Sequence, residues 1–477
     1  MAFRMLGGSP NTTQSGSRED SRMDAATLQR VEADLKAYLA LFADCFPYKP
    51  TRAHLEVYVR GQLGTLQRKS IEPIALGAGV PPRTLQQFVG ALQWNEGAMR
   101  SRVRTIVVAW HPDPNAVGVI DETSFEKKGC KTIGVKRQWC GHKGKVDNCV
   151  QTIHLTYVAR KFATIVAGDI YLPEDWTKDR ARREQAGVPD DVKFRTKPEM
   201  GLELVDRARA DGISMRWVTA DELYGRSSEF RDGLELRNLL YVVEVPKSTF
   251  GWTRAGYAEG REHRRVDELY LRGGPTWVDY HVKDTTKGPV VWRVRATRFV
   301  FHAGTDRSEK WLLIAVDPLT GETKYFASNA PAETPVETLL TVAFTRWRVE
   351  RNFQDSKQEI GLDHFEVRTY TALQRHLALS MVSLLFLVET TLKLKDTTSQ
   401  SWTVSQTRLI VDTMVDQELL PEQRERRLEN NLFKIAYWQR RGRVAEKCHR
   451  KRRLLELTAV GIDIETLPHC PSWPNGP

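Results

Sequence analysis

The chain has 477 residues, 41% hydrophobic and 27% charged, a composition typical of a soluble globular protein with material for two to four domains. Its 71 Lys and Arg against 60 Asp and Glu leave a net charge of +11, which suggests a polyanionic partner without naming one. Six scattered cysteines without a C-x-x-C pair argue against a zinc knuckle or a disulfide scaffold and fit a cytoplasmic protein with reduced thiols.

The first 23 residues are polar and Gly/Ser-rich with no apolar signal core, and predict a disordered tail. From there to residue 112 the period is helical. Leu28, Val31, Leu35, Tyr38, Leu39 and Phe42 recur at three- and four-residue steps, and PRTLQQFVGALQW opens on a proline pair. With Arg60, Arg68, Lys69 and Arg83 alongside, residues 24–112 read as a helical DNA-binding domain or as a plain helical bundle.

After HPDPN the period becomes that of strands. NAVGVID predicts a strand ending in Asp121, NCVQTIHLTYVAR and FATIVAGDIYL an antiparallel pair, PEMGLELVDRARADG a helix, and MRWVTAD a strand ending in Asp221. LLYVVEVP adds a fifth strand, so residues 113–247 suggest an α/β layer with a mixed sheet. Residues 248–330 alternate without a helical period, as in WVDYHVKD, PVVWRVRATRFVFH and KWLLIAVDP, and predict an all-β insertion.

A helix beginning near residues 334–336 then carries RWRVERNFQDSKQEIGL, within residues 331–390. At about 100° per residue Arg346, Glu350 and Lys357 fall within roughly 40° of one another, at the rim of an apolar stripe that includes Val349, Phe353 and Ile360. Taken alone, this is an amphipathic helix with an i,i+4 ion pair. The apolar run HLALSMVSLLFLVETTL, from His376, predicts a buried core helix rather than a membrane span. Residues 391–477 read as a helical basic region, in which Arg440, Arg441, Arg443, Lys447, Arg450, Lys451, Arg452 and Arg453 belong either to a DNA contact or to a solvated face.

Asp121, Asp221 and Glu350 are carboxylates on three separate elements, and two aspartates with one glutamate supply hard oxygen ligands of the kind two Mg²⁺ ions require. The segments VIDETSFEKKGCKTIGVKRQWC, WVTADELYG and RWRVERNFQDSKQEIGLDHFEVR resemble the transposases of bacterial insertion sequences in the DDE superfamily, over roughly residues 110–370. The spacing R-x₃-E-x₆-K matches a subgroup signature written Y-x₂-R-x₃-E-x₆-K, with Ala343 where the signature has tyrosine.

The resemblance implies a ribonuclease-H-like α/β fold, a mixed-sheet core interrupted by the all-β insertion and flanked by helical N- and C-terminal regions. It implies that Asp121, Asp221 and Glu350 are the catalytic triad holding two Mg²⁺ ions, with Mn²⁺ as substitute, and that Arg346 and Lys357 contact phosphate. Lys127, Lys128, Lys136 and Arg137, just after Asp121, become expected contacts to transposon-end DNA, with a solvated hairpin as the plainer alternative. Trp252, in the loop STFGWTR, becomes the candidate for stacking on a flipped base. The expected activity is cleavage at the element's terminal inverted repeats and joining of the freed 3′-OH to target DNA. A homodimer on double-stranded DNA is expected, in the bacterial cytoplasm on the nucleoid and not in a membrane. The alternative is a transposase-derived DNA-binding or targeting protein that does not cut.

Overall fold

A computed structural model describes residues 25–269, 276–398 and 401–474; the expected tail lies outside them. Five helices come first: α1 (Ala25–Ala40), α2 (Lys49–Leu63), α3 (Ile71–Gly77), α4 (Pro82–Gly90) and α5 (Glu96–Trp110). Val31, Leu35, Tyr38, Leu39 and Phe42 are all buried, as their spacing predicts. The basic residues beside these helices are largely engaged within the chain. Arg60 binds Glu32 and Glu56, Arg68 pairs with Glu366, and buried Lys69 donates to the carbonyls of Gln62 and Glu359.

The sheet begins with β1 (Val117–Glu126), β2 (Lys136–Cys140), β3 (Lys145–Val158) and β4 (Ala163–Ile170). Helices α6 (Glu174–Lys178), α7 (Arg180–Ala186) and α8 (Lys197–Ala210) lead to β5 (Trp217–Ala220); α9 (Glu222–Gly225) and α10 (Ser228–Leu236) lead to β6 (Leu240–Val245). Spatially the order is β4, β3, β1, β5, β6, with β1, β5 and β6 parallel and β3 antiparallel to both β1 and β4. β1 does not end at Asp121. Its parallel pairing with β5 stops at Ile120, but its antiparallel ladder with β3 carries it on to Glu126. Thr196 closes a capping box that starts α8.

The insertion contributes β7 (Phe250–Thr253), α11 (Arg254–Ala258), β8 (Arg264–Arg265), α12 (Val266–Leu269), β9 (Val278–Thr285), β10 (Gly288–Phe301), β11 (Lys310–Val316) and β12 (Thr323–Ser328). It is therefore not purely β: Thr253 caps a short helix by accepting from Gly256 N, too brief a turn to show as a helical period. Nor does it stand apart, because β12 pairs antiparallel with β6 and makes one twelve-stranded sheet of the described strands.

The expected single helix around Glu350 is two, α13 (Val336–Phe344) and α14 (Trp347–Ile360). Between them Thr345 Oγ1 donates to the Thr341 carbonyl, and the N–H groups of Arg348 and Val349 bond three residues back, so the turn tightens and the axis is reset. Gly361, at φ +72°, ends α14. Then follow α15 (Tyr370–Thr398), α16 (Val404–Val415) and α17 (Pro421–Ala459). Residues 370–397 are long and apolar enough to cross a membrane, yet 78% of their most apolar window is buried inside the protein, against α2, α5, α16 and β4.

Candidate active site

The register of β1 and β5 builds the centre of the site. Ile120 lies beside Ala220 in a parallel pair, so the next residue on each strand, Asp121 and Asp221, emerges at the same place. Asp221 also caps α9, accepting from Leu223 N at 3.0 Å. The helix packs directly on the β6 backbone: a Cβ on Gly225 would stand 2.0 Å from the Glu244 carbonyl oxygen, so only glycine fits.

Glu350 arrives from the first turn of α14, and Arg346 joins it to the strands. The Arg346 guanidinium lies 3.5 Å from Asp121 Oδ2 and 3.3 Å from Glu350 Oε1, bridging two of the three expected acids. The two ends of this bridge differ in exposure. The Asp121 side chain is 14% exposed and that of Glu350 60%.

Burial, with the charges of Asp221 and Glu122 added, pushes the Asp121 carboxyl up to about 8 despite the lowering pull of Arg346. Asp221 is raised for the same reasons, burial first and then Glu122. Glu122 itself is held by Lys197 Nζ at 2.7 Å and by the Tyr224 hydroxyl at 3.3 Å, away from Arg346. Two neighbouring carboxylates, both raised chiefly by burial, are the donor chemistry a hard divalent cation reverses, so Asp121 and Asp221 fit such an ion. Among the described residues no three His, Cys, Asp or Glu side chains are close enough to hold one ion together; Glu350 stands off behind Arg346.

The remaining expected site residues scatter. Lys357 lies two turns along α14 and donates to the Ser124 carbonyl at 3.2 Å, with burial lowering its pKa. Lys127 departs from the expected free basic patch: it donates to the Phe365 carbonyl at 2.7 Å and stands 3.4 Å over that ring, and burial lowers its amine to about 8. Lys128 and Arg137 are exposed, and Lys136 pairs with Asp175 at 3.1 Å. Trp252 belongs to β7 rather than to a loop. It is half-buried, donates from Nε1 to the Arg261 carbonyl and packs on Tyr257, His263 and His302, none of which touches the acids. Ala343 is buried in α13.

Sequence reading misses Lys283. Its amine, on β9 of the insertion, lies over the Trp347 ring at 4.6 Å, feels the charge of Glu350 and is lowered to about 8 chiefly by burial. Nothing in WVDYHVKD marks this lysine, because its neighbours come from α14, more than sixty residues away.

The family model for DDE superfamily endonucleases matches residues 41–298, which include Asp121 and Asp221. The chain belongs to that superfamily. The resemblance carried by its three motifs is borne out by a curated relative as well, a probable transposase for insertion sequence element IS701 from Microchaete diplosiphon. The two are 26% identical over 360 residues, covering 74% of this chain and 86% of the relative. A cryo-EM structure of a piggyBac transposase synaptic complex with hairpin DNA is similar over 87% of this chain and 84% of that chain, at 10% identity and a TM-score of 0.40.

Proposed function

We propose that this DDE superfamily endonuclease is a DNA transposase that cuts at the ends of its mobile element and joins the freed 3′-OH to target DNA. One observation carries the reading: the parallel pairing of β1 with β5 brings Asp121 beside Asp221, and Arg346 links that pair to Glu350. The order β4, β3, β1, β5, β6 supports reading the core as ribonuclease-H-like. The kinship with a probable transposase of an insertion sequence supports the element's ends and target DNA as substrates; a dimer on DNA is the form that work on paired ends would require.

Asp121, Asp221 and Glu350 would hold the divalent cations, Mg²⁺ or Mn²⁺. When bound, such ions supply an activated water and stabilise the leaving oxygen of a phosphodiester. Asp121 on β1 and Asp221 at the β5–α9 junction would fix the reacting centre with little reorganisation. Glu350, exposed on the first turn of a helix and paired with Arg346, would turn from it toward the aspartates. Arg346 would then offer its guanidinium fork to a phosphate oxygen next to the scissile bond. Lys128 and Arg137 remain candidate backbone contacts on the β2 side; Lys357 ties α14 to β1, and Lys127, just past β1, ties down the segment after α14.

The test is cleavage of a supercoiled plasmid carrying the element's ends, in Mg²⁺ or Mn²⁺, by the wild type and by Glu350→Gln. Cleavage at the ends that the substitution abolishes, with DNA binding retained, is expected. Equal cleavage by both proteins would reduce Glu350 to half of a helix ion pair. Binding without cleavage by either would favour a targeting protein descended from a transposase.

A further inference from the structure

α17 has 39 residues and is about 58 Å long at the usual rise per residue. It is fastened at two places. Near its start Asn431, Ile435 and Gln439 are buried, and Asn431 and Gln439 bond to residues in or next to α16; near its end Leu457 is buried and Arg450 pairs with Asp284 on the β9–β10 hairpin. Between these anchors every residue from Arg440 through Arg452 is exposed. A helical stretch with no buried residue draws little stability from packing, and this one has seven basic residues against the single acid Glu446.

The basic residues are not spread evenly round the helix. At about 100° per residue Arg440, Arg443, Lys447 and Lys451 fall within roughly 80° of arc, on a flank about 100° from the body-facing residues Gln439, Glu446 and Leu457. This stripe covers three turns, about 16 Å. None of the four has an ion pair among the described residues, whereas Arg450 and Arg452 are paired with Asp284 and Glu456. Neighbours in the stripe lie three or four residues apart and repel one another.

The stripe also has a definite relation to the candidate active site. Glu446 lines a groove of about 740 Å³ together with Trp347, Arg348 and Arg351 of α14 and Lys283, the lysine that feels Glu350. α17 thus crosses beside the helix that delivers Glu350.

We infer that the flank of α17 marked by Arg440, Arg443, Lys447 and Lys451 is a binding surface for the phosphate backbone of the duplex held at the active site, without base preference. A row of like charges about one turn apart has no ion-pair partner among the described residues, and a polyanionic strand supplies one along its whole length. The inference rests on the proposed function for its substrate.

The experiment uses the full-length protein with all four residues changed to glutamine, which is a good helix former, and a control carrying Arg441→Gln and Arg452→Gln on the opposite flank. Binding to a fluorescent duplex bearing the element's end, and to an unrelated duplex, is measured over a series of salt concentrations. The stripe variant is expected to lower the slope of log K against log salt by about 3 to 4, at roughly 0.9 for each phosphate that is no longer neutralised. Both duplexes should weaken by the same factor, and the control should stay close to wild type. An unchanged slope, or an equal fall in the control, would overturn the inference. So would a dimer-to-monomer shift of the stripe variant without DNA at unchanged slope, which would assign the stripe to a second copy of the chain. A wild type that binds and cleaves DNA while the variant keeps its slope sinks this inference alone; a wild type that binds no duplex sinks the proposed function with it.

Discussion

α14 and α17 are both rich in charge, and they use it in opposite ways. In α14 the charges are turned into the protein. Arg346 bridges Asp121 and Glu350, Arg351 pairs with Asp355, Lys357 reaches the Ser124 carbonyl, and Glu359 meets Arg408 of α16. Asp355 and Glu359 are buried while Glu350, the residue read as catalytic, is the exposed one. In α17 the early Arg427 is tied to Asp412 and Asp416, but from Arg440 to Arg452 the charges are exposed, and the stripe has no ion pair among the described residues. A paired charge in a buried helix fixes geometry, because losing one partner leaves the other desolvated. A solvated stripe fixes nothing locally and serves contact with something outside.

The comparison can be broken first at its catalytic end. Glu350→Gln is expected to lower end cleavage by about 10³-fold or more, the several kcal/mol a metal-held transition state supplies, with a thermal midpoint close to wild type because the side chain is exposed. A loss of cleavage that tracks a loss of folding would mean that α14 contributes only structure.

Next in size is a substitution on the other face of the same helix. Glu359→Ala leaves the mostly buried Arg408 side chain without its carboxylate, 2.7 Å away in the intact protein, and is expected to cost about 3 kcal/mol in urea unfolding. A change under about 0.5 kcal/mol would place this ion pair with ordinary surface pairs.

A third test concerns the fastening of the end of α14. Buried His376 on α15 accepts from the Tyr58 hydroxyl at 2.9 Å and donates to the Leu362 carbonyl at 3.0 Å, just past the helix. Burial lowers it from 6.5 to about 4, against the smaller raising effect of the Leu362 carbonyl. Between those values the unfolded chain binds the extra proton. Its contribution is therefore complete above pH 6.5 and falls by about 1.4 kcal/mol per pH unit as pH drops toward 4. Urea unfolding at pH 7.5 and 5.0 should show about 2 kcal/mol of acid destabilisation that His376→Gln lacks. Equal pH dependence in both proteins would show that His376 is already free to charge when folded.

The smallest effect is expected on α17. The four glutamine substitutions in its stripe should change stability by no more than about 0.5 kcal/mol, and slightly upward, because they remove like-charge repulsion from an exposed helix. A large loss would mean that the stripe packs against the body.

Much of the fold was legible from local pattern. The buried positions of the first helix, the β3–β4 hairpin, the strand before Asp221 and the strands of the insertion each follow from period-2 or period-3.6 spacing, which neighbours along the chain determine. The limits of elements were less legible. β1 continues past Asp121 because β3 pairs with it, and the α13–α14 junction depends on a threonine bonding back to its own helix; neither leaves a mark on hydropathy.

For the site, the sequence alone supplied the residue types and their order: Asp121, Asp221, and Arg346 with Glu350 and Lys357 at motif spacing. Tertiary structure decided which of these meet. The parallel register of β1 and β5 sets Asp121 beside Asp221 across nearly a hundred residues of chain, the tilt of α14 brings Arg346 to Asp121 and carries Lys357 on to Ser124, and β9 delivers Lys283. It also decided which basic residues are free, taking Lys127, Lys69 and Arg60 into internal contacts and leaving a stripe of α17 outside. The reason is physical. A side chain's chemistry is fixed by its identity, but its charge state, its partners and its access to solvent depend on what distant segments place around it.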